Sequence, residues 1–253
     1  MKMLVNSFKA ALIADDQLVG IRTSLCSPTI AALLATCGFD YVYIDTEHTS
    51  ADAAIVQAQL HALHGTPALV RPAANDEVLI KKLLDVGVQN FLIPMVQGPE
   101  AAASAVAATR YPPRGTRGVC GRSGANAYGA IEDYYARADA EICVIAMLET
   151  RTALQGLEQI AMVDGIDALW VGPGDLAADF GLLACGGSSH PEVRAAINDV
   201  IRRARDLDKP IGVPAATDDQ AKELAAAGCA LITISSDVDI LARESGRLAK
   251  CIS

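Results

Sequence analysis

Apolar residues fall along this chain in short blocks, each closed by a polar or turn residue. Residues 19–23, 41–44, 68–70, 91–93, 142–148, 168–171, 210–213 and 231–234 read as buried strands. Stretches of helical period separate them: 28–37, 51–64, 76–85, 99–109, 150–160, 191–207, 218–227 and 237–250, with a short amphipathic helix over 6–14 at the start. Gly38, Gly65, Gly87 and Gly228 stand just past four of these helices, where a left-handed residue ends a helix. Ser50 is placed to cap the helix over 51–64. Two segments break the rhythm. Residues 176–181 form only a short helix before a Gly/Ser insertion at 186–189. Residues 110–135 hold five Gly, two Pro and four Arg with no period, and read as a long functional loop with one helical turn.

Strands alternating with helices imply a parallel sheet. Eight such units in 253 residues predict one α/β domain over 1–253, a (β/α)8 TIM barrel with an extra N-terminal helix. A doubly wound open sheet is the alternative, but no G-x-G-x-x-G follows the first strand.

Composition narrows the function. The chain is 51% apolar and 4% aromatic, with a net charge of −9 and a pI near 4.9. This excess of acid argues against nucleic-acid and anionic-membrane partners. No apolar run approaches a membrane span, and the N-terminus lacks a long apolar leader. Seven scattered cysteines with no C-x-x-C pair read as reduced thiols of a cytoplasmic protein.

In a (β/α)8 barrel the chemistry gathers at the C-terminal ends of the strands. There the chain places Arg22, Asp45, Glu47, His48, Arg71, Glu149 and Asp175. Asp175 follows the run Leu169-Trp170-Val171-Gly172-Pro173-Gly174. Glu149 and Asp175 offer two hard oxygen ligands suited to Mg2+ or Mn2+; the bland reading makes them a helix first-turn acid and an N-cap. No zinc-type His/Cys set is present, since His61, His64 and His190 fall on or beside helices. Arg71 is a fixed cation for a developing oxyanion. His48 is the natural general base, or else pairs with Glu47 or a cap. Amides near Gly174 and Asp175 suit a carboxylate. None of the seven lysines ends a strand, so Schiff-base chemistry is not expected.

Several motifs occur in one order: Ser27-Pro28, Gly38-Phe39-Asp40 leading to Asp45-Thr46-Glu47-His48, Val70-Arg71, Lys82-Leu83-Leu84-Asp85-Val86-Gly87, Arg110-Tyr111-Pro112-Pro113-Arg114-Gly115, Glu149-Thr150, and Gly172-Pro173-Gly174-Asp175-Leu176. With them the chain resembles the HpcH/HpaI aldolase family, the metal-dependent class II pyruvate aldolases. The resemblance implies a carbon–carbon lyase that reversibly cleaves a 4-hydroxy-2-oxo acid to pyruvate, or a related 2-oxo acid such as hydroxypyruvate, and an aldehyde. It implies Mg2+, Mn2+ or Co2+ on Glu149 and Asp175, Arg71 on the oxo group, and His48 paired with Asp85 for proton movement. Asp45 and Glu47 would organise metal-bound water. Gly172, Pro173, Gly174 and Asp175 would meet the substrate carboxylate, with Met147 and Val213 among the substrate contacts. It also implies a homo-oligomer, a hexamer built as a trimer of dimers, with the last helix exchanged between subunits. Two positions depart from the family pattern. Met147 stands where many members have Gln, and Arg22 where many have Trp; both bear on the substrate. Two alternatives are an acyl-CoA lyase of the malyl- or citryl-CoA type, using Arg114, Arg117 and Arg122, and a non-catalytic oxo-acid-binding barrel.

Overall fold

The structure, a computed structural model, describes residues 1 and 5–251. Its strands are β1 (Leu18–Thr23), β2 (Tyr41–Asp45), β3 (Ala68–Arg71), β4 (Asn90–Ile93), β5 (Cys143–Leu148), β6 (Ala168–Val171), β7 (Ile211–Ala215) and β8 (Leu231–Ser236). They pair in parallel, each with the next, and β8 closes onto β1. The α-helices are α1 (Ser7–Ile13), α2 (Pro28–Ala35), α3 (Ala53–Ala62), α4 (Glu77–Asp85), α5 (Pro99–Thr109), α6 (Tyr134–Arg137), α7 (Arg151–Gln155), α8 (Leu157–Ala161), α9 (Pro173–Asp179), α10 (Pro191–Asp206), α11 (Asp218–Ala226) and α12 (Asp237–Ala249). The expected (β/α)8 barrel is thus present, and no described helix is long and apolar enough to cross a membrane.

Three local expectations change. Asp52, not Ser50, caps α3, its carboxylate accepting from the Ile55 amide. The helix expected over 150–160 is two helices, because Gly156 ends α7 and begins α8; glycine is a poor helix-interior residue. The 110–135 loop holds a 3-10 segment, Gly124–Gly129, and leads into α6. Because it joins the end of α5 to the start of β5, it lies at the N-terminal face of the barrel. It is tied there by Arg117, buried over the Tyr111 ring at 4.4 Å and donating to the Tyr134 hydroxyl at 2.8 Å.

Alternation along the strands divides the apolar residues into two cores. Val42, Ile44, Val70, Phe91, Val144, Leu169, Val213 and Ile232 face outward and pack with the helices. Tyr41, Tyr43, Leu69, Leu92, Ile145, Met147, Trp170 and Leu231 face the barrel axis. Phe8 and Leu12 of α1 join this inner set and close the base, with Phe8 edge-on to Tyr41 at 5.4 Å.

The inner rings fit because two neighbours lack side chains. A Cβ on Gly20 would lie 2.3 Å from Tyr41, and one on Gly212 would lie 2.1 Å from Trp170. Tyr41 then spans to the Thr233 hydroxyl at 2.8 Å. The barrel is filled up to Trp170 and Tyr43, and the mouth lies above them.

α12 departs from the pattern of the other long helices. Its head is fixed, since buried Asp237 accepts from the Thr23 hydroxyl and the Ser24 and Leu25 amides at 2.8, 2.8 and 3.1 Å. From Val238 to Lys250 every residue is exposed, with Leu241 and Leu248 more than half so.

Candidate active site

The mouth is built from strand ends. Asp45 and Arg71 are opposite one another in the β2–β3 register, and both point inward. Arg71 grips Asp45 with two parallel bonds, Nε to Oδ1 at 2.9 Å and Nη2 to Oδ2 at 2.7 Å. Its Nη1 lies 2.8 Å from Glu47 Oε2 in an ion pair. Both partners of the fork are buried, Asp45 at 1% exposure and Arg71 at 4%. Burial opposes the charge on Asp45, but the guanidinium outweighs it and holds the carboxyl below its ordinary range. Burial likewise opposes the charge on Arg71, and its acidic partners keep it firmly cationic. Asp45 uses two of the five guanidinium donors, so Arg71 keeps N–H groups for a ligand.

Glu149 follows β5. Its Oε2 accepts from the Met95 amide at 2.7 Å, which a left-handed backbone at Met95 (φ 53°) aims into the mouth. Its other oxygen lies against Gly172, where a Cβ would come within 2.5 Å. Asp175 is in the first turn of α9, whose cap is Gly172 with no side-chain bond. Glu149 is not the first-turn acid of α7, since it precedes the Thr150 cap, and Asp175 is not the N-cap of α9 but an acid of its first turn. Burial, with the like charges of Asp175 and Glu47, pushes Glu149 up to about 7. Burial also raises Glu47, against the pull of Arg71 and His48.

Arg71, Glu149, Gly172 and Asp175 line a cleft of about 260 Å³ with Arg22, Tyr43, His48, Met147, Trp170, Pro173 and Gly174, while Asp45 and Glu47 hold Arg71 from outside its lining. Larger grooves lie elsewhere, the two most voluminous of those described being one of about 620 Å³ beside α10 and one of about 640 Å³ at the base beneath α1. Neither gathers a comparable set of acids and bases, so chemistry rather than size identifies the site. His48 stands at the rim with its side chain 62% exposed, 3.5 Å from Glu47.

The residues present suit a divalent cation. Glu149 and Asp175 are hard oxygen donors without an ion-pair partner among the described residues, and Glu47 Oε2 is buried without a hydrogen bond. The described residues contain no group of three or more His, Cys, Asp or Glu able to hold a metal. Two carboxylates, with water and substrate completing the shell, match the habit of Mg2+.

Two expected residues are not brought to this site. Val213 faces the helical layer, since its neighbours Gly212 and Pro214 take the inward positions. Asp85 ends α4 at the N-terminal face of the barrel, beside Gly124. Within one chain it therefore does not pair with His48. Arg114, Arg117 and Arg122 lie on the same remote face; Arg114 pairs with Asp139 and Arg117 is enclosed by tyrosines. No described lysine reaches the mouth, and Lys2 lies outside the described residues.

Other contributors carry no charge and escaped a search for charged strand ends. Tyr43, Trp170, Pro214, Ala215, Thr233 and Ser235 all line the cleft. For all but Ala215, which ends β7, the signal is the inward half of each strand's alternation. Asp239, at the rim on α12, is hidden in sequence within an ordinary acidic first turn.

Known proteins resemble this chain over nearly its whole length. The family model "HpcH/HpaI aldolase/citrate lyase" matches residues 20–243. The chain is 45% identical to a hydroxypyruvate/pyruvate aldolase of Sagittula stellata, over 93% of both chains. It is 43% identical to a pyruvate aldolase of Rhizobium etli, over 98% of both. A crystal structure of an HpcH/HpaI aldolase/citrate lyase family protein from Burkholderia cenocepacia superposes with a TM-score of 0.93 at 35% identity, covering 98% of this chain and 99% of that one.

Proposed function

Because this chain belongs to the HpcH/HpaI aldolase/citrate lyase family, we propose that its barrel mouth reversibly cleaves a 4-hydroxy-2-oxo acid to a 2-oxo acid and an aldehyde. The enzyme is a pyruvate aldolase, a carbon–carbon lyase. Glu149 and Asp175 hold a divalent cation, Mg2+, Mn2+ or Co2+, which supplies Lewis-acid polarisation of the oxo acid when bound.

The chain's own residues do the rest. The free N–H groups of Arg71 meet the 2-oxo oxygen, where negative charge grows as the bond between C3 and C4 breaks. Asp45 and Glu47 fix the guanidinium in place beforehand, so little reorganisation is needed at the moment of reaction. His48 takes the proton from the 4-hydroxyl, the aldehyde departs, and that proton, or one exchanged with solvent at His48, is delivered to C3 of the pyruvate enolate to give the methyl group. The first turn of α9, at Gly174 and Asp175, receives the 1-carboxylate. Gly174 suits this, because nothing stands within 4 Å of where its Cβ would be. Met147, Tyr43 and Trp170 make an apolar floor beneath the donor carbon and keep water from the enolate.

Asp85 can meet His48 only when a second copy presents it, so a dyad between them belongs to a homo-oligomer. A hexamer with α12 exchanged between subunits would also cover the exposed face of that helix. The observation that carries the whole reading is the meeting of a doubly clamped Arg71 with two carboxylates, buried Glu149 and exposed Asp175, that lack a cationic partner among the described residues.

The test is deuterium exchange of the pyruvate methyl group in D2O, followed by NMR. Chelated protein should be silent, and added Mg2+, Mn2+ or Co2+ should start exchange. Absence of exchange with pyruvate and with hydroxypyruvate, under every metal, would refute the reading.

A further inference from the structure

The cleft contains one guanidinium, that of Arg22, which no described residue holds in place. Arg22 lies on β1, opposite Tyr43 in register, and its side chain lines the mouth, only partly exposed. Arg71 is held by Asp45 and Glu47. Arg22 has neither a hydrogen bond nor an ion pair among the described residues, although five acids share or border the cleft. Asp45 and Glu47 are committed to Arg71, and Glu149 and Asp175 to the metal in the reading above. Asp239, at the rim, has Oδ2 engaged by the Ser236 hydroxyl at 2.6 Å.

The backbone around Arg22 is shaped for this placement. The β1–β8 register slips between Gly20 and Arg22, passing from the pair Gly20–Thr233 to the pair Arg22–Ser236. Ser235, in the slipped stretch, has a left-handed φ of 62°. A bulge of this kind bends a strand and re-aims its side chains. The strand order adds direction. β1 is four strands from β5 in a closed ring of eight, so Arg22 faces Glu149 across the mouth. The oxo-acid half of the substrate is met by β3, β5 and the start of α9, and a ligand extending away from them ends beside β1.

On the aldolase reading, we infer that Arg22 selects the aldehyde half of the substrate by binding an anionic group on it, a carboxylate or a phosphate. The preferred substrate is then a 4-hydroxy-2-oxo acid carrying a second negative group beyond C4. A guanidinium with five unengaged donors is suited to either group.

The experiment uses metal-loaded full-length protein with pyruvate as donor. It compares kcat/KM for matched aldehydes: 4-oxobutanoate against pentanal, and glycolaldehyde phosphate against glycolaldehyde. The wild type should favour the anionic member of at least one pair by about 10- to 100-fold, the scale of a hydrogen bond to a charged group. Which pair shows the preference distinguishes carboxylate from phosphate. Arg22→Gln should collapse that ratio towards one, chiefly through KM, and Arg22→Lys should keep part of it. Added KCl should lower the wild-type ratio, which tests the idea even if the variants fail to fold. Equal wild-type rates for both members of each pair, or a ratio that survives Arg22→Gln, would overturn the proposal. Wild-type protein that exchanges no pyruvate methyl protons and joins no aldehyde would overturn the aldolase reading instead.

Discussion

Gly172→Ala tests whether the placement of Glu149 is built by the absence of one methyl group. The added Cβ would fall 2.5 Å from Glu149 Oε1, 2.7 Å from its Cγ and 3.0 Å from its Cδ. All three atoms belong to the same side chain, so the carboxylate itself must move. It is held on the other side by the 2.7 Å bond from the Met95 amide. Losing that charged hydrogen bond costs about 1.5–3 kcal/mol, and crowding a packed site costs about 1–3 kcal/mol. Some of the crowding is relieved by the movement that breaks the bond, so we expect a total of about 2–4 kcal/mol. For a chain of this size that lowers Tm by about 5–10 °C. Displacing a ligand should weaken metal binding by about 10- to 100-fold, as loss of an orienting contact does. The only tryptophan, Trp170, lines the same cleft, so its quenching by Mn2+ reports affinity directly. Gly174→Ala is the stability control, because its Cβ would meet nothing within 4 Å; its Tm should stay near that of the wild type. If Gly172→Ala bound Mn2+ with unchanged affinity, the argument would fail, whatever happened to Tm.

Arg71→Ala should lower kcat by about 3–4 kcal/mol of transition-state stabilisation, the scale of one oxyanion donor; an effect confined to KM would contradict its role. Glu149, pushed up to about 7 in the folded metal-free protein, binds more protons there than in the unfolded chain between about pH 4.5 and 7. Stability of the metal-free protein should therefore fall as pH rises through that window, by an amount on the order of 2–3 kcal/mol. Glu149→Gln should flatten this slope in denaturant titrations, and an unchanged slope would assign it to another group. Gly212→Ala should cost about 1–3 kcal/mol by crowding, with part regained when Trp170→Leu is added; purely additive losses in a double-mutant cycle would count against the interlock.

The alternation of apolar blocks and helical stretches made the barrel legible, because each strand end and helix stop is written locally. The charged part of the mouth was legible for the same reason: Asp45, Arg71, Glu149 and Asp175 each follow an apolar run, and the fold rule converges them. Val213 turns outward and Asp85 lies on the far face of its own barrel for reasons of a different kind. Whether a strand residue faces the axis or the helices depends on register, and Gly212 opposite Trp170 fixes that only in three dimensions. Asp85 stands a whole helix away from the mouth, and its sequence neighbourhood does not record which copy it serves. Ser50 lost its cap to Asp52 through a shift of a few residues, the scale on which helix ends compete. The uncharged cleft residues were invisible because nothing but position distinguishes a mouth threonine or tyrosine from one in a core.

The closing seam of the barrel imposes an order of events on synthesis. Leu18 donates to Ala230, Gln17 reaches Ala225 and Cys229, and Thr23 bonds to Asp237. The first strand is thus completed by the last, and Phe8 and Leu12 rest partly on Ala230 and Leu231. A growing chain on the ribosome has made α1 and β1 long before it holds anything to shut them with. Until residue 236 clears the exit tunnel, β1 keeps an open edge and the barrel base keeps an uncovered side. The strand made first in the barrel is among the last to be secured, and contacts of such long sequence separation are slow to form. Whatever shelters this nascent chain must therefore protect β1 until β8 has emerged.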